Sequence, residues 1–416
     1  MRHLSKKISI LSPLLCFITI YTFMIGTSQT IAFDGLAKHK VNYSLGHHVP
    51  KTASQPIFKP FPPAIQASAY VLIDAHSGRV LASKNENKQV TPASLTKMMV
   101  SYLASAALDL DRITLEEKVN ISQKAGSTGG SRMFIAPNTY VTVRDLLRGI
   151  IVQSGNDASI ALAEYLAGDE KNFVEIMNQQ AKRFNMSGTQ FMNVSGLPQA
   201  GHYTTALDLA TLARAIVLDF PKDYAWYSEK SFSYSGITQN NRNRLLFWNV
   251  GVDGIKTGDT KESGFCIAAS SMKNDMRLVA IVMGAPTKKA RLDGAYTLLK
   301  YGFDFFETQK IYSAYEPIIK NRIWFGKPLK VTAGLEHDLY VTVLRGYSKH
   351  LKKVVTINKH LRAPLTKSSA VGQVQITLNG EVLTDISLVS LHPVAKASWW
   401  RRWWDHLLLF FVRQWR

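Results

Sequence analysis

Ser94, in the run Pro92-Ala93-Ser94-Leu95-Thr96-Lys97-Met98-Met99, has the surroundings of a nucleophile. The run reads as the start of a helix, and residues three apart on a helix share a face, so Ser94 and Lys97 can enter one cavity. A first helical turn also presents unpaired N–H groups and a positive dipole end, which favour an anion at the serine oxygen. A lysine that burial has deprived of its proton can take the serine's, which makes the pair an activated nucleophile. Ser-x-x-Lys alone is a weak signal. Ser270-Ser271-Met272-Lys273 has the same spacing, yet it ends an apolar strand-like run and enters a turn at Asn274-Asp275.

Two other groups can complete such a site. Gln153-Ser154-Gly155-Asn156 interrupts two largely apolar helical stretches, so its polar side chains fall in the interior. Buried polar groups need partners, and a functional cleft supplies them. Ser-x-Asn is weak by itself, since Ser83-Lys84-Asn85 matches on a charged stretch. Gly251-Val252-Asp253-Gly254-Ile255-Lys256-Thr257-Gly258 reads as a strand whose end carries a cation and a hydroxyl donor, chemistry suited to an anionic group.

The elements that position these groups follow in order. Ala69 to Asp74 predicts a strand, Ala75 to Gly78 a turn, and Arg79 to Ala82 the hairpin partner. Met98, Met99, Tyr102 and Leu103 give the Ser94 helix a buried stripe. Thr142 with Asp145, and Thr204-Thr205 with Asp208, are helix-start signals. Strands are expected at Phe265 to Ser270 and Leu278 to Met283, and a helix through Tyr296, Leu298, Leu299, Tyr301 and Phe305 closes this α/β (α+β) domain, residues 65–307. Residues 308–391 change pattern to short alternating strands, among them Leu339 to Leu344, Val354 to Ile357 and Val374 to Leu378, with Asn379-Gly380 as a hairpin turn. This reads as a small all-β domain without a catalytic constellation.

The flanks bear on location and partners. Residues 1–32 read as a secretory signal, with Arg2, Lys6 and Lys7, an apolar run from Ile8 to Ile25, and a cleavage site near Thr30-Ile31-Ala32. Pro13-Leu14-Leu15 before Cys16 is a poor lipoprotein signal. Residues 33–64, with repeated prolines, read as a linker. The 50 basic and 30 acidic side chains call for an anionic partner, and export argues against nucleic acid. Removal of the signal leaves Cys266 alone, without an intramolecular disulfide, and its apolar neighbours suit a small buried side chain. The 11 histidines show no metal-ligand spacing, and no cofactor is implied.

Residues 392–416 end in an aromatic, basic segment. At about 100° per residue, Arg401, Arg402, Asp405, His406, Arg413 and Arg416 fall within one arc of about 140°. Trp400, Trp403, Trp404, Leu407, Leu408, Phe410, Phe411 and Trp415 fill the other side, with Leu409 and Val412 as exceptions. The apolar run is too short to span a bilayer, so a helix lying on a membrane surface through residues 399–416 is expected.

The ordered set Ser94-x-x-Lys97, Ser154-Gly155-Asn156 and Lys256-Thr257-Gly258 matches the three-motif signature of penicillin-recognising serine enzymes. From about residue 65 onward the chain resembles the low-molecular-mass penicillin-binding proteins of the D-alanyl-D-alanine carboxypeptidase type. The resemblance implies a β-lactamase-like catalytic domain, peptidoglycan stem peptides as substrate and acylation by β-lactams. It implies Ser94 as nucleophile, Lys97 as base, Ser154 as proton relay and Asn156 on the substrate's amide. It also implies Lys256, Thr257 and Gly258 around the terminal carboxylate, with Arg291 assisting. The protein is then expected outside the cytoplasmic membrane, on its periplasmic face.

Two departures stand out. Asp259 occupies a position where the family often has histidine, which sets a carboxylate beside the substrate's own. The Gly-Ser-rich loop between Ser122 and Met133 looks shorter than the family's. Three other readings share these residues: a DD-endopeptidase, a class A β-lactamase and a catalytically weak membrane-held scaffold that binds cell wall. The β-lactamase lacks support because no Glu-x-x-Leu-Asn box lies between Asn156 and Lys256.

Overall fold

The computed structural model describes residues 60–414. The segment expected as a signal, the linker up to residue 59, Cys16 and the pair Trp415-Arg416 lie outside the described residues.

A five-stranded antiparallel sheet organises the first unit. Its strands are β1 (Ala69–Asp74), β2 (Val80–Lys84), β3 (Val252–Thr260), β4 (Gly264–Lys273) and β5 (Met276–Ala285), in the spatial order β2-β1-β5-β4-β3. Both faces are covered, which is why β1, β4 and β5 read as nearly continuous apolar runs. Val71, Ile73, Ala268, Val279 and Ile281 face the helical side, where Met98, Leu103, Leu146 and Leu209 complete the larger core. Leu72, Ile267, Ala269, Ala280 and Val282 face the helix Lys288–Phe305 and its Leu292, Ala295 and Leu298.

Local chemistry matches the sequence signals at the element ends. Thr142 Oγ1 accepts from Asp145 N at 3.1 Å and Thr205 Oγ1 from Asp208 N at 3.1 Å, each starting a helix. Asn274 and Asp275 take positive φ of 48° and 62°, which closes a two-residue hairpin between β4 and β5. The Ser270 decoy is structural, fully buried in β4 with its Oγ 3.2 Å from Arg277 Nη1. Cys266 is buried in the same strand, and burial raises its thiol pKa. The start of the described chain is tied down: Tyr301 Oη donates to Pro60 O at 3.1 Å and Tyr70 Oη to Pro63 O at 3.3 Å.

The helix Lys288–Phe305 runs directly into the strand Phe306–Tyr312, which pairs with Leu339–Leu344. A second five-stranded sheet follows, from Ile319–Arg322 at one edge to Leu351–Ile357 at the other. Asn379 and Gly380 form the expected turn, with φ of 52° and 87°. The two units are bolted together: Thr308 Oγ1 donates to Asp74 Oδ2 at 2.8 Å, Ser77 Oγ lies 2.6 Å from Thr342 Oγ1, and Arg79 donates to the Thr342 carbonyl.

The terminal helix, Trp399–Gln414, leaves Trp399, Trp400, Trp403, Trp404, Phe410 and Phe411 more than half exposed. It touches the second unit through the opposite side. Asp405, expected on the solvated basic arc, is 1% exposed and accepts from Phe325 N at 2.7 Å and Arg322 Nη2 at 3.2 Å. Leu409, one of the two exceptions on that arc, is buried with Trp324 and Phe325. The arc is therefore divided, with an anchoring line flanked by the basic residues. Among the described residues no helix is long and apolar enough to cross a membrane.

Candidate active site

Ser94 sits on a single 3-10 turn, Ala93–Thr96, that leads into the helix Lys97–Asp109. Ala93 before it is held at φ 49°, a conformation costly for a side-chain-bearing residue. Gly196 explains how it is held, because a Cβ there would lie 1.9 Å from the Ala93 carbonyl oxygen. Gly258 of β3 approaches from the other side, where a Cβ would lie 2.8 Å from Ser94 N. Ser94 is thus gripped between two glycines that permit close backbone contact. Below it, Thr96 Oγ1 lies 2.9 Å from Nε2 of buried His202, whose imidazole burial brings down to about 4 and keeps neutral.

Lys97 is completely buried. Its Nζ donates to Ser94 Oγ at 3.1 Å and to the Ser195 carbonyl. Burial, reinforced by the charge of Arg242 and opposed by Asp157, brings its ammonium down to about 7. That is where a general base operates near neutral pH.

Ser154 follows the irregular turn Gly149–Gln153 and adopts φ 61°, ψ 37°. Its Oγ is buried and has no hydrogen-bond partner among the described residues. An orphaned hydroxyl in a strained position is a feature of functional sites rather than of cores. Asn156 opens the next helix, and its Nδ2 donates to Gly129 O at 2.8 Å while its backbone N donates to Ser131 O at 2.7 Å.

Lys256 and Thr257 lie on β3, the edge strand, each 3% exposed. Burial holds the Lys256 ammonium well down, with Lys97, Arg242 and Arg291 adding to the shift and Asp259 opposing it. Lys256, Lys97, Arg242 and Arg291 converge here, with the half-exposed Asp259 carboxylate against Arg291, a charge distribution suited to an anion. Arg291 Nη1 donates to Gly258 O at 3.2 Å, to Cys266 O at 3.4 Å and to Asp259 Oδ1 at 3.4 Å. Arg291 supports the strand end, and its pairing with Asp259 spends part of its charge.

Sequence reasoning missed two contributors. Arg242 donates Nε to Gln153 O at 3.0 Å and supplies the positive field that lowers Lys97 and Lys256. Its only signal was the Asn241-Arg242-Asn243 triplet in a loop. Asp157, next to Asn156, is fully buried and accepts from Phe134 N at 2.8 Å, Ala158 N at 2.9 Å and Met133 N at 3.1 Å. It holds the Gly129–Ile135 segment against Asn156. No His, Cys, Asp or Glu cluster fit for a metal ion occurs among the described residues.

Comparison with known proteins fits this geometry. Residues 51–287 match a family described as D-alanyl-D-alanine carboxypeptidase, and residues 306–396 match the C-terminal domain of penicillin-binding protein 5. The chain is 40% identical to D-alanyl-D-alanine carboxypeptidase DacC of Escherichia coli over 85% of this chain and 90% of that one. It is 38% identical to the Escherichia coli DacA carboxypeptidase over 84% and 89%. Penicillin-binding protein 5 from Haemophilus influenzae superposes with a TM-score of 0.76 at 38% identity, covering 81% of this chain and 100% of that one. A penicillin-binding protein D2 from Listeria monocytogenes, solved with ampicillin bound, superposes with a TM-score of 0.52 at 28% identity over 60% of this chain and all of that one.

Proposed function

The chain belongs to the family of serine-type D-alanyl-D-alanine carboxypeptidases, and from that membership we propose that Ser94 is its nucleophile, Lys97 its base and Ser154 its proton relay. Ser94 Oγ attacks the carbonyl carbon between the last two D-alanines of a peptidoglycan stem peptide, and Lys97 Nζ takes the hydroxyl proton. The backbone N–H of Ser94 and the one that follows Gly258 receive the developing oxyanion. As the C–N bond breaks, Ser154 passes a proton to the departing D-alanine. Water then cleaves the acyl-enzyme and regenerates Ser94.

Asn156 receives the substrate's amide side. Lys256 and Thr257 receive the terminal carboxylate, beside Gly258, Asp259 and Arg291. An anion bound there restores the Lys256 charge that burial weakens. As the edge strand of its sheet, β3 can take an extended peptide in the manner of an added strand. A β-lactam presents its strained amide and carboxylate to the same groups and acylates Ser94.

The observation that carries this reading is the buried Lys97 amine 3.1 Å from Ser94 Oγ, poised near neutrality. The test is labelling with fluorescent penicillin together with release of D-alanine from a stem peptide. Ser94→Ala should abolish both while the protein stays folded, and persistence of either refutes the assignment.

We further take residues 65–307 as the catalytic unit, 308–391 as the β unit and 392–416 as an amphipathic foot. The foot lies on the periplasmic face of the cytoplasmic membrane, a reading supported by six large aromatic side chains left exposed on one side of the terminal helix. Deletion of residues 396–416 should release the protein from membranes and leave penicillin labelling intact.

A further inference from the structure

Asp405 and Leu409 fix one line of the terminal helix against Phe325. Trp400 and Leu407 lie roughly opposite that line at about 100° per residue, so the aromatic side points directly away from the β unit. Between these two sides, on the flank that carries Arg402 and His406, an open cavity of about 560 Å³ separates the helix from the β unit. Arg362 and Lys396 line it from the β unit, and Arg402, His406, Trp399 and Trp403 from the helix. No carboxylate lines it. The nearby acid, Asp405, already bonds Phe325 N and Arg322. Arg362, Lys396 and Arg402 have no ion-pair partner among the described residues. The aromatic floor is continuous with the cations, since the Arg362 guanidinium lies 5.6 Å from the Phe325 ring centre and the His406 ring 4.5 Å from it.

Three exposed cations facing one cavity repel one another unless an anion joins them, and arginine is suited to the oxygens of a phosphate. We propose that this cavity binds the phosphodiester head group of an anionic phospholipid. The proposal rests on the membrane-surface reading above and adds a defined lipid site to it. Trp399 and Trp403 belong both to the cavity and to the exposed aromatic side, so a lipid seated by its phosphate has its acyl chains beside the tryptophans. With the aromatic side at the acyl boundary, the cavity opens a quarter-turn higher, at head-group depth. A free phosphate would use the cations and leave the indoles idle.

The test is co-sedimentation of the full exported chain with vesicles of phosphatidylcholine alone or phosphatidylcholine mixed with phosphatidylglycerol. The pocket variant is R362Q/K396Q. The control, K349Q/K352Q, removes equal charge at exposed sites near the far sheet edge. Wild type and control should bind the phosphatidylglycerol vesicles alike. The pocket variant should bind them about 30-fold more weakly, from two lost surface cations. On phosphatidylcholine all three should agree, and K396Q alone should fall in between.

Equal loss in pocket and control variants, or no loss in either, overturns the site. Loss of the phosphatidylglycerol preference in excess inorganic phosphate at constant ionic strength assigns the cavity to a free anion and also overturns it. Binding of wild type to both vesicles without preference removes the lipid site and leaves the membrane foot standing. Binding to neither removes both. Penicillin labelling and thermal unfolding, unchanged in every variant, show that the fold is intact.

Discussion

Raising the pH should switch on acylation through Lys97. The amine is wholly buried, with one hydrogen bond to Ser94 Oγ and one to the Ser195 carbonyl, and its pKa lies at about 7. The neutral fraction then grows about tenfold between about pH 6 and about pH 8 and levels off above about pH 9. The rate constant for penicillin acylation, followed by stopped-flow fluorescence, should trace that curve. Arg242→Gln removes the second largest cause of the depression, so its midpoint should move upward.

The same shift has a stability consequence of definite sign. The unfolded chain holds the Lys97 proton up to about 10.5 and the folded chain loses it at about 7, so the unfolded state binds more protons in between. The group's destabilisation is complete below pH 7, lessens as pH rises and vanishes above about 10.5. Its full size is about 5 kcal/mol. Lys97→Met escapes it but gives up two hydrogen bonds at about 1 to 1.5 kcal/mol each, which leaves a net gain of about 2 to 3 kcal/mol. The variant should melt roughly 5 °C higher near pH 6 while failing to acylate. A flat acylation profile, or a midpoint near 10 that Arg242→Gln leaves in place, would mean that Lys97 stays cationic and that the serine proton goes elsewhere.

Other substitutions probe the surrounding groups. Asp259→Asn removes the half-exposed carboxylate at the anion end of the cleft and should raise kcat/KM for a D-alanyl-D-alanine peptide about fivefold at low salt, less at high salt; an unchanged value places Asp259 outside the substrate's field. Asp259→His should in addition alter the pH–rate profile, and an identical profile would show that residue 259 has no part in setting it. Asp157→Ala orphans several buried N–H groups and should cost about 3 kcal/mol or more in chemical denaturation. A loss within experimental error would mean that water takes over those N–H groups. Asp405→Ala should speed amide exchange throughout Trp399–Gln414 and leave the catalytic unit unaffected, whereas unchanged exchange would show that Leu409 alone holds the helix.

The groups that sequence reasoning found are those whose partners lie close along the chain. Ser94 and Lys97 are three residues apart, Thr142 and Asp145 likewise, and the Asn274-Asp275 and Asn379-Gly380 turns carry their conformational preference in two residues. What it missed depends on distant chain segments meeting. Arg242 acts on Lys97 across well over a hundred residues, and Asp157 gathers N–H groups from a loop more than twenty residues earlier. Periodicity divides the terminal helix into arcs, but an arc says nothing about which neighbour will cover it. Asp405 belongs by spacing to the solvated side, and only the Phe325 backbone N–H makes its burial favourable.

Hydrogen bonds at Asp74–Thr308 and Arg79–Thr342 tie the first unit to the second, and Asp405–Phe325 ties the second to the terminal helix. If that helix lies on a membrane surface as proposed, the protein works at one altitude. It cannot sweep through the thickness of a polymer mesh as a tethered enzyme can, and it meets only those strands that pass at the height of its cleft. Its working volume is then a thin layer parallel to the surface, and trimming becomes a matter of which part of the mesh is newest and lowest.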